Sequence, residues 1–180
     1  MLAVPPLRQV STHARMISDV LTSPDGTLDV ATRHYSHWDV NGVVVATTIA
    51  TVLICVALHY EALNVLSRRL ARAQGPHRRR VVFAIFGLLA VHVAEIWVFG
   101  IACALLLLSP AAGAAHGLDG GLLDFIYVSA MNFSTVGAAD AFVTGPVRFL
   151  TGTEALTGMV LITWSASFTF LEMQRFWRER

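Results

Sequence analysis

Two ionisable side chains, His92 and Glu95, interrupt an apolar stretch of the chain and have the chemistry to bind a proton or a metal ion. They are three residues apart, so a helix presents both on one face. Glu154 interrupts a second apolar stretch, residues 149–171, in the same way. A metal centre needs three or four convergent ligands, and these positions are too few to predict one. The pattern favours a polar clamp in which Glu95 bonds either the short apolar segment 122–133 or the apolar stretch 149–171, with a proton or metal site as the alternative.

A second candidate site begins where an apolar segment, residues 122–133, gives way to small and polar residues. This segment is shorter than the roughly 20 residues that a transmembrane helix needs, so it is typical of a re-entrant segment. It is followed by Ser134, Thr135, Val136, Gly137, Ala138, Ala139 and Asp140. Non-helical backbone is tolerated at membrane depth only when it is buried in protein or lines a water-filled cavity. The pattern therefore predicts a loop in the membrane that is either buried in protein or lines a water-filled cavity.

The composition indicates which elements position these residues. Hydrophobic residues make up 55% of the chain and charged residues only 14%, whereas charged residues are about 25% of a soluble domain. Three apolar runs are long enough to cross a bilayer as helices. They predict a first transmembrane helix at 42–66, an outer helix at 81–108 and an inner helix at 149–174. We therefore expect an all-α membrane protein with three transmembrane helices, a re-entrant helix and a loop.

The distribution of arginine predicts the orientation of the chain in the membrane. Residues 67–80 contain six of the 13 basic residues, and loops rich in basic residues stay in the cytoplasm. This places the N-terminal segment, residues 1–41, outside and the C-terminus in the cytoplasm. A net charge of +1 gives no case for binding nucleic acid. The expected location is the bacterial inner (plasma) membrane.

The loop and its surroundings resemble a known family. Ser-Thr-Val-Gly at 134–137, then two small residues and Asp140, resembles the Thr-Val-Gly-Tyr-Gly-Asp filter of potassium channels. The outer helix, the re-entrant helix (with the filter, residues 122–140) and the inner helix follow in the order found in that family. The resemblance covers residues 81–174 and is closest to the small bacterial two-helix pore modules.

This resemblance implies a homotetramer in the lipid bilayer that conducts monovalent cations through rings of backbone carbonyls. It implies no enzymatic activity, no bound metal and no cofactor other than the permeant potassium or sodium ions. The resemblance implies a gating hinge at Gly158. It implies an ion filter formed by Thr135, Val136, Gly137, Ala138, Ala139 and Asp140. The residues expected to support the pore are Ser134, His92, Glu95 and Glu154. Glu154 is expected to pair with His92 or to brace the filter from behind.

The filter differs from the family pattern at Ala138 and Ala139, where potassium channels have tyrosine and glycine. Alanine cannot replace the bracing tyrosine, and forcing alanine into the conformation of the second glycine costs about 1 kcal/mol or more. We therefore expect a different outer half of the filter and weak selectivity for potassium over sodium. The alternative is a non-conducting relative of the channels with a sensing or scaffold role.

Overall fold

The computed structural model describes residues 38–72 and 77–178. Its long helices are α1 (Trp38–Arg72), α2 (His77–Leu106) and α4 (Arg148–Arg178), and α3 (Leu122–Phe133) is a short helix between α2 and α4. A 3-10 helix, Pro110–Ala112, and two short strands, β1 (Ala114–His116) and β2 (Phe142–Thr144), complete the fold. Residues 1–37 of the predicted N-terminal segment 1–41 lie outside the described residues.

The prediction of three transmembrane helices is confirmed at the level of helix length and composition. The segments Trp38–Arg72, Arg79–Leu106 and Arg148–Gln174 are each long and apolar enough to cross a membrane. Only 17–28% of the most apolar part of each is buried inside the chain. Most of their apolar surface therefore faces lipid or other protein chains.

The first helix is longer than the sequence predicted, because it continues past residue 66 through Arg72. Arg69 and Arg72 lie in its last turn, where positive charge interacts favourably with the helix dipole. The next helix begins at His77, so the arginine-rich segment 67–80 is largely helical, and residues 73–76 lie outside the described part of the chain.

The short helix α3 has a defined start. The carboxylate of Asp124 accepts hydrogen bonds from the backbone N–H groups of Asp119 and Gly121, both at 3.1 Å. These bonds satisfy donors just before the first helical turn. The helix packs against α2 and α4, which in turn contact α1. The core between these helices includes Phe99, Phe133, Leu150 and Leu161, which are all almost fully buried.

The segment between α2 and α3 was predicted only as an outer loop, and it contains β1, one strand of a small antiparallel ribbon. Strand β1 pairs with β2 so that Ala115 faces Val143. His116 stacks on Phe142 with ring centroids 5.0 Å apart. Because β2 follows the 134–140 loop, this ribbon connects both ends of the segment that contains α3 and the loop.

Candidate functional site

The loop 134–140 begins with a tight turn at the end of α3. The N–H of Thr135 donates to the carbonyl of Asn132 at 2.8 Å, and the N–H of Gly137 donates to the carbonyl of Met131 at 2.9 Å. These bonds satisfy two of the carbonyls that a helix end leaves free. The hydroxyl of Ser134 donates to the carbonyl of Ala130 at 2.8 Å. Ser134, Thr135 and Gly137 thus bond the loop to the end of α3.

Two residues of the loop have left-handed backbone conformations. Gly137, with φ of 74°, was expected to use this freedom. Thr135 has φ of 61° and is the one non-glycine residue with positive φ in the described part of the chain. A left-handed conformation costs a side-chain-bearing residue roughly 1–2 kcal/mol. Strain of this kind occurs often at functional sites.

The two alanines of the loop are free of left-handed backbone strain. Within the described residues, neither Ala138 nor Ala139 has a positive φ. That this half of the loop differs from a potassium-channel filter stays a prediction.

The outer end of the loop contacts α3 through a polar pair. The hydroxyl of Tyr127 donates to the carboxylate of Asp140 at 3.4 Å, at an exposed position. Tyr127 was not singled out in the sequence, because a tyrosine within an apolar segment has no distinguishing spacing. The contact connects the middle of α3 to the last residue of the loop.

Gly158 lies where α4 crosses the C-terminal end of α3. A Cβ atom on Gly158 would collide with the carbonyl oxygen of Phe133 and would lie 2.8 Å from its carbonyl carbon. The close approach of two backbones explains the glycine. The role of gating hinge stays a prediction.

A buried polar cluster connects three helices deep in the protein. Its members are His59 of α1, His92 and Glu95 of α2, and Ser165 of α4. The two carboxylate oxygens of Glu95 lie 2.9 Å from Nδ1 of His59 and 2.9 Å from Nδ1 of His92. The hydroxyl of Ser165 lies 3.0 Å from Nε2 of His92 and 3.4 Å from Nε2 of His59.

The partners of Glu95 differ from those expected. The sequence suggested that its carboxylate would bond the re-entrant helix or the inner helix, but the carboxylate bonds α1 through His59. His59 was missed because it lies at the end of the first apolar run, next to Tyr60 and Glu61, where polar residues are common. Its position four residues after the buried Cys55 was the available signal, because residues with this spacing share a helix face.

Glu154 is buried beside α3 and does not pair with His92, whose hydrogen-bond partners are Glu95 and Ser165. Glu154 instead forms a short hydrogen bond with the hydroxyl of Ser129. That hydroxyl is also 2.8 Å from the backbone carbonyl of Ile96. Glu154 and Ser129 therefore connect α4, α3 and α2. The role of Glu154 in bracing the loop stays a prediction.

The predicted site residues thus form two groups. The loop residues are contiguous and exposed, with Val136 71% exposed in the single chain. The supporting residues His92, Glu95 and Glu154 lie between the helices. The two groups meet at Phe133, the last residue of α3, because its ring lies 5.7 Å from that of His92.

Comparisons of the chain with models of protein families, with curated proteins and with solved structures found no match.

Proposed function

We propose that the chain forms a tetrameric channel for monovalent cations, with the loop 134–140 of four copies around a common axis. The observation that carries the proposal is the exposed loop, with its left-handed Thr135 and Gly137, at the end of a short helix packed between two membrane-length helices. Exposed polar backbone at membrane depth must face water or other protein. Copies of the same loop around an aqueous path meet that requirement.

The chemistry of the proposed pore is provided mainly by the backbone. A ring of carbonyl oxygens, one from each chain, replaces the hydration shell of a cation. The C-terminal end of α3, at Phe133, carries the negative end of the helix dipole, which favours a cation nearby. Asp140 is exposed at the other end of the loop and attracts cations to the entrance.

The proposed channel selects potassium over sodium weakly. Ala138 and Ala139 lack the tyrosine and glycine of the family pattern, and neither adopts the left-handed conformation. Fewer carbonyl rings of potassium-channel geometry then remain. They are the rings of Thr135 and Val136, and Gly137 marks the boundary with the altered outer half. Weaker discrimination between the two ions follows, because selectivity depends on the number and placement of the coordinating carbonyls.

Flux of potassium and sodium from liposomes that contain the purified protein tests the proposal. Gly137→Ala should reduce flux strongly, because alanine at φ of 74° is strained by about 1 kcal/mol or more in each chain. Gly152→Ala is the matched control. An added Cβ meets nothing within 4 Å at either position, but Gly152 lies within a helix and should retain flux.

The outcomes separate the proposal from its alternative. Comparable flux of both ions supports a weakly selective channel, whereas flux of potassium alone refutes weak selectivity. Absence of flux from confirmed tetramers supports a non-conducting relative with a sensing or scaffold role. Equal flux from Gly137→Ala and Gly152→Ala would remove the loop from the conduction path.

A further inference from the structure

The four contacts of the cluster of His59, His92, Glu95 and Ser165 require one hydrogen more than an ionised Glu95, two neutral imidazoles and one hydroxyl carry. We propose that this cluster is a binding site for a single proton, shared by the two imidazoles next to the Glu95 carboxylate. The proposal follows from counting the hydrogens that the observed contacts require.

The carboxylate fixes the first two hydrogens. Each oxygen of Glu95 lies 2.9 Å from Nδ1 of a different histidine. An ionised carboxylate only accepts hydrogen bonds, so both Nδ1 atoms must carry hydrogen. A neutral imidazole with hydrogen on Nδ1 has an acceptor at Nε2.

The hydroxyl of Ser165 cannot satisfy both remaining acceptors. The Nε2 atoms of His59 and His92 lie 3.4 Å and 3.0 Å from its oxygen. One hydroxyl has one hydrogen, so it donates to one Nε2 only. The second contact becomes a hydrogen bond when that Nε2 carries a proton and donates to the hydroxyl oxygen. All four contacts are therefore satisfied when one of the two rings is an imidazolium. The same hydrogen on the Glu95 carboxyl would satisfy them with both rings neutral, so the protonation of the rings distinguishes the two arrangements.

Charge balance leads to the same count. The side chains of His59 and Glu95 are 0% exposed, and an unpaired charge in such a place is costly. One imidazolium beside one carboxylate has no net charge. Removing the proton leaves a net negative cluster with an unsatisfied nitrogen, and adding a second proton makes the cluster positive.

The surroundings also favour a cation. The ring of Trp164 lies 5.3 Å from that of His59, and the ring of Phe133 lies 5.7 Å from that of His92. Aromatic rings attract cations within about 6 Å. Among the described residues, two further ionisable groups near the cluster are Cys55, whose thiol contacts the backbone carbonyl of Glu95 at 3.9 Å, and Glu154, which is bonded to Ser129 of α3.

A bound metal ion is the competing occupant, since one donor atom from each of His59, His92 and Glu95 lies within 4.8 Å of the others. The two contacts of 2.9 Å from nitrogen to oxygen are typical hydrogen-bond lengths. They are explained by hydrogens between the atoms, and no ion is needed. The geometry therefore favours a proton.

The site can influence the loop, because His92 contacts Phe133 and the loop begins at the next residue. This consequence rests on the proposed function. Loss of the proton should break one of the two hydrogen bonds by which Ser165 connects α4 to α1 and α2, and cation flux should change as a result. The proton site itself does not depend on whether the protein conducts.

Nitrogen-15 NMR of histidine-labelled protein in lipid bilayers tests the site directly. Solvent-exposed histidines are neutral at pH 8, because the usual pKa of histidine is about 6.5. We expect one of the seven histidines to retain two protonated ring nitrogens at that pH. The signal should disappear in His59→Gln, His92→Gln and Glu95→Gln, and it should persist in His116→Gln, which changes an exposed histidine.

Seven neutral histidines at pH 8 in the unaltered protein would overturn the proton shared by the imidazoles and leave a neutral clamp with that hydrogen on Glu95. One metal ion per chain in the purified protein, measured by mass spectrometry, would overturn it in favour of the metal. Cation flux from the same vesicles distinguishes the two proposals. Absence of flux together with a protonated histidine refutes the channel alone, whereas flux with only neutral histidines refutes the proton site alone.

Discussion

Replacing Gly158 by alanine tests whether the close contact between α4 and the end of α3 positions the loop. A Cβ at this position would collide with the carbonyl oxygen of Phe133 and lie 2.8 Å and 2.9 Å from its carbonyl carbon and Cα. All three atoms belong to the backbone, so no side-chain rotation relieves the collision. The two helices must move apart, and the loop that follows Phe133 must move with α3.

The magnitude follows from the packing at this crossing. Overpacking of a well-packed core costs about 1–3 kcal/mol. Gly152→Ala, in the same helix, meets nothing within 4 Å, and both substitutions gain up to about 1 kcal/mol from helix propensity. This gain cancels in the comparison, so we expect Gly158→Ala to be less stable than Gly152→Ala by about 1–3 kcal/mol.

Thermal unfolding in detergent, followed by circular dichroism, measures this difference between the two variants. Cation flux from liposomes then reports whether the displaced α3 changes the proposed filter. Equal stability of Gly158→Ala and Gly152→Ala would refute the argument from close packing. In that case, lost flux in Gly158→Ala alone would favour the hinge predicted from the sequence.

Three further predictions concern polar and strained residues. Glu95→Ala should destabilise the protein by about 3–5 kcal/mol because it leaves the buried His59 and the part-buried His92 without the carboxylate between them. Glu154→Gln should cost less than about 1 kcal/mol because its amide can donate to Ser129; thermal unfolding compares the two. Tyr127→Phe should change stability by less than about 1 kcal/mol, since its contact is exposed, but it should alter the flux ratio of potassium to sodium by releasing the outer end of the loop. Thr135→Gly should relieve about 1 kcal/mol of backbone strain and preserve stability, and reduced selectivity in flux assays would show that the threonine side chain contributes to the filter.

The helices could be predicted from the sequence because apolar run length determines whether a helix can cross a bilayer. Residues 81–108 and 149–174 correspond closely to α2 and α4, and the short apolar segment 122–133 corresponds to α3. The end of α1 could not be predicted in the same way. Its last turns contain arginines, which hydropathy assigns to a loop, although arginine is a good helix former.

Only two of the four members of the polar cluster could be predicted from the sequence. His92 and Glu95 were found because they interrupt an apolar run, but their partners His59 and Ser165 come from other helices. Which faces of α1 and α4 meet α2 depends on helix packing, and the spacing within one helix does not specify it. The left-handed Thr135 was also unpredictable, because threonine rarely adopts that conformation.

The cluster provides polar contacts that hold α1 against the rest of the protein. In lipid, apolar surfaces of helices gain little from association, because lipid tails are as apolar as the side chains. A buried hydrogen bond between His59 and Glu95 therefore specifies the position of α1 more effectively than its apolar contacts do. The same bond connects α1, through His92, to Phe133 at the start of the loop. The helix α1, which lies outside the proposed pore segment 81–174, is thereby connected to the loop proposed to select the ion.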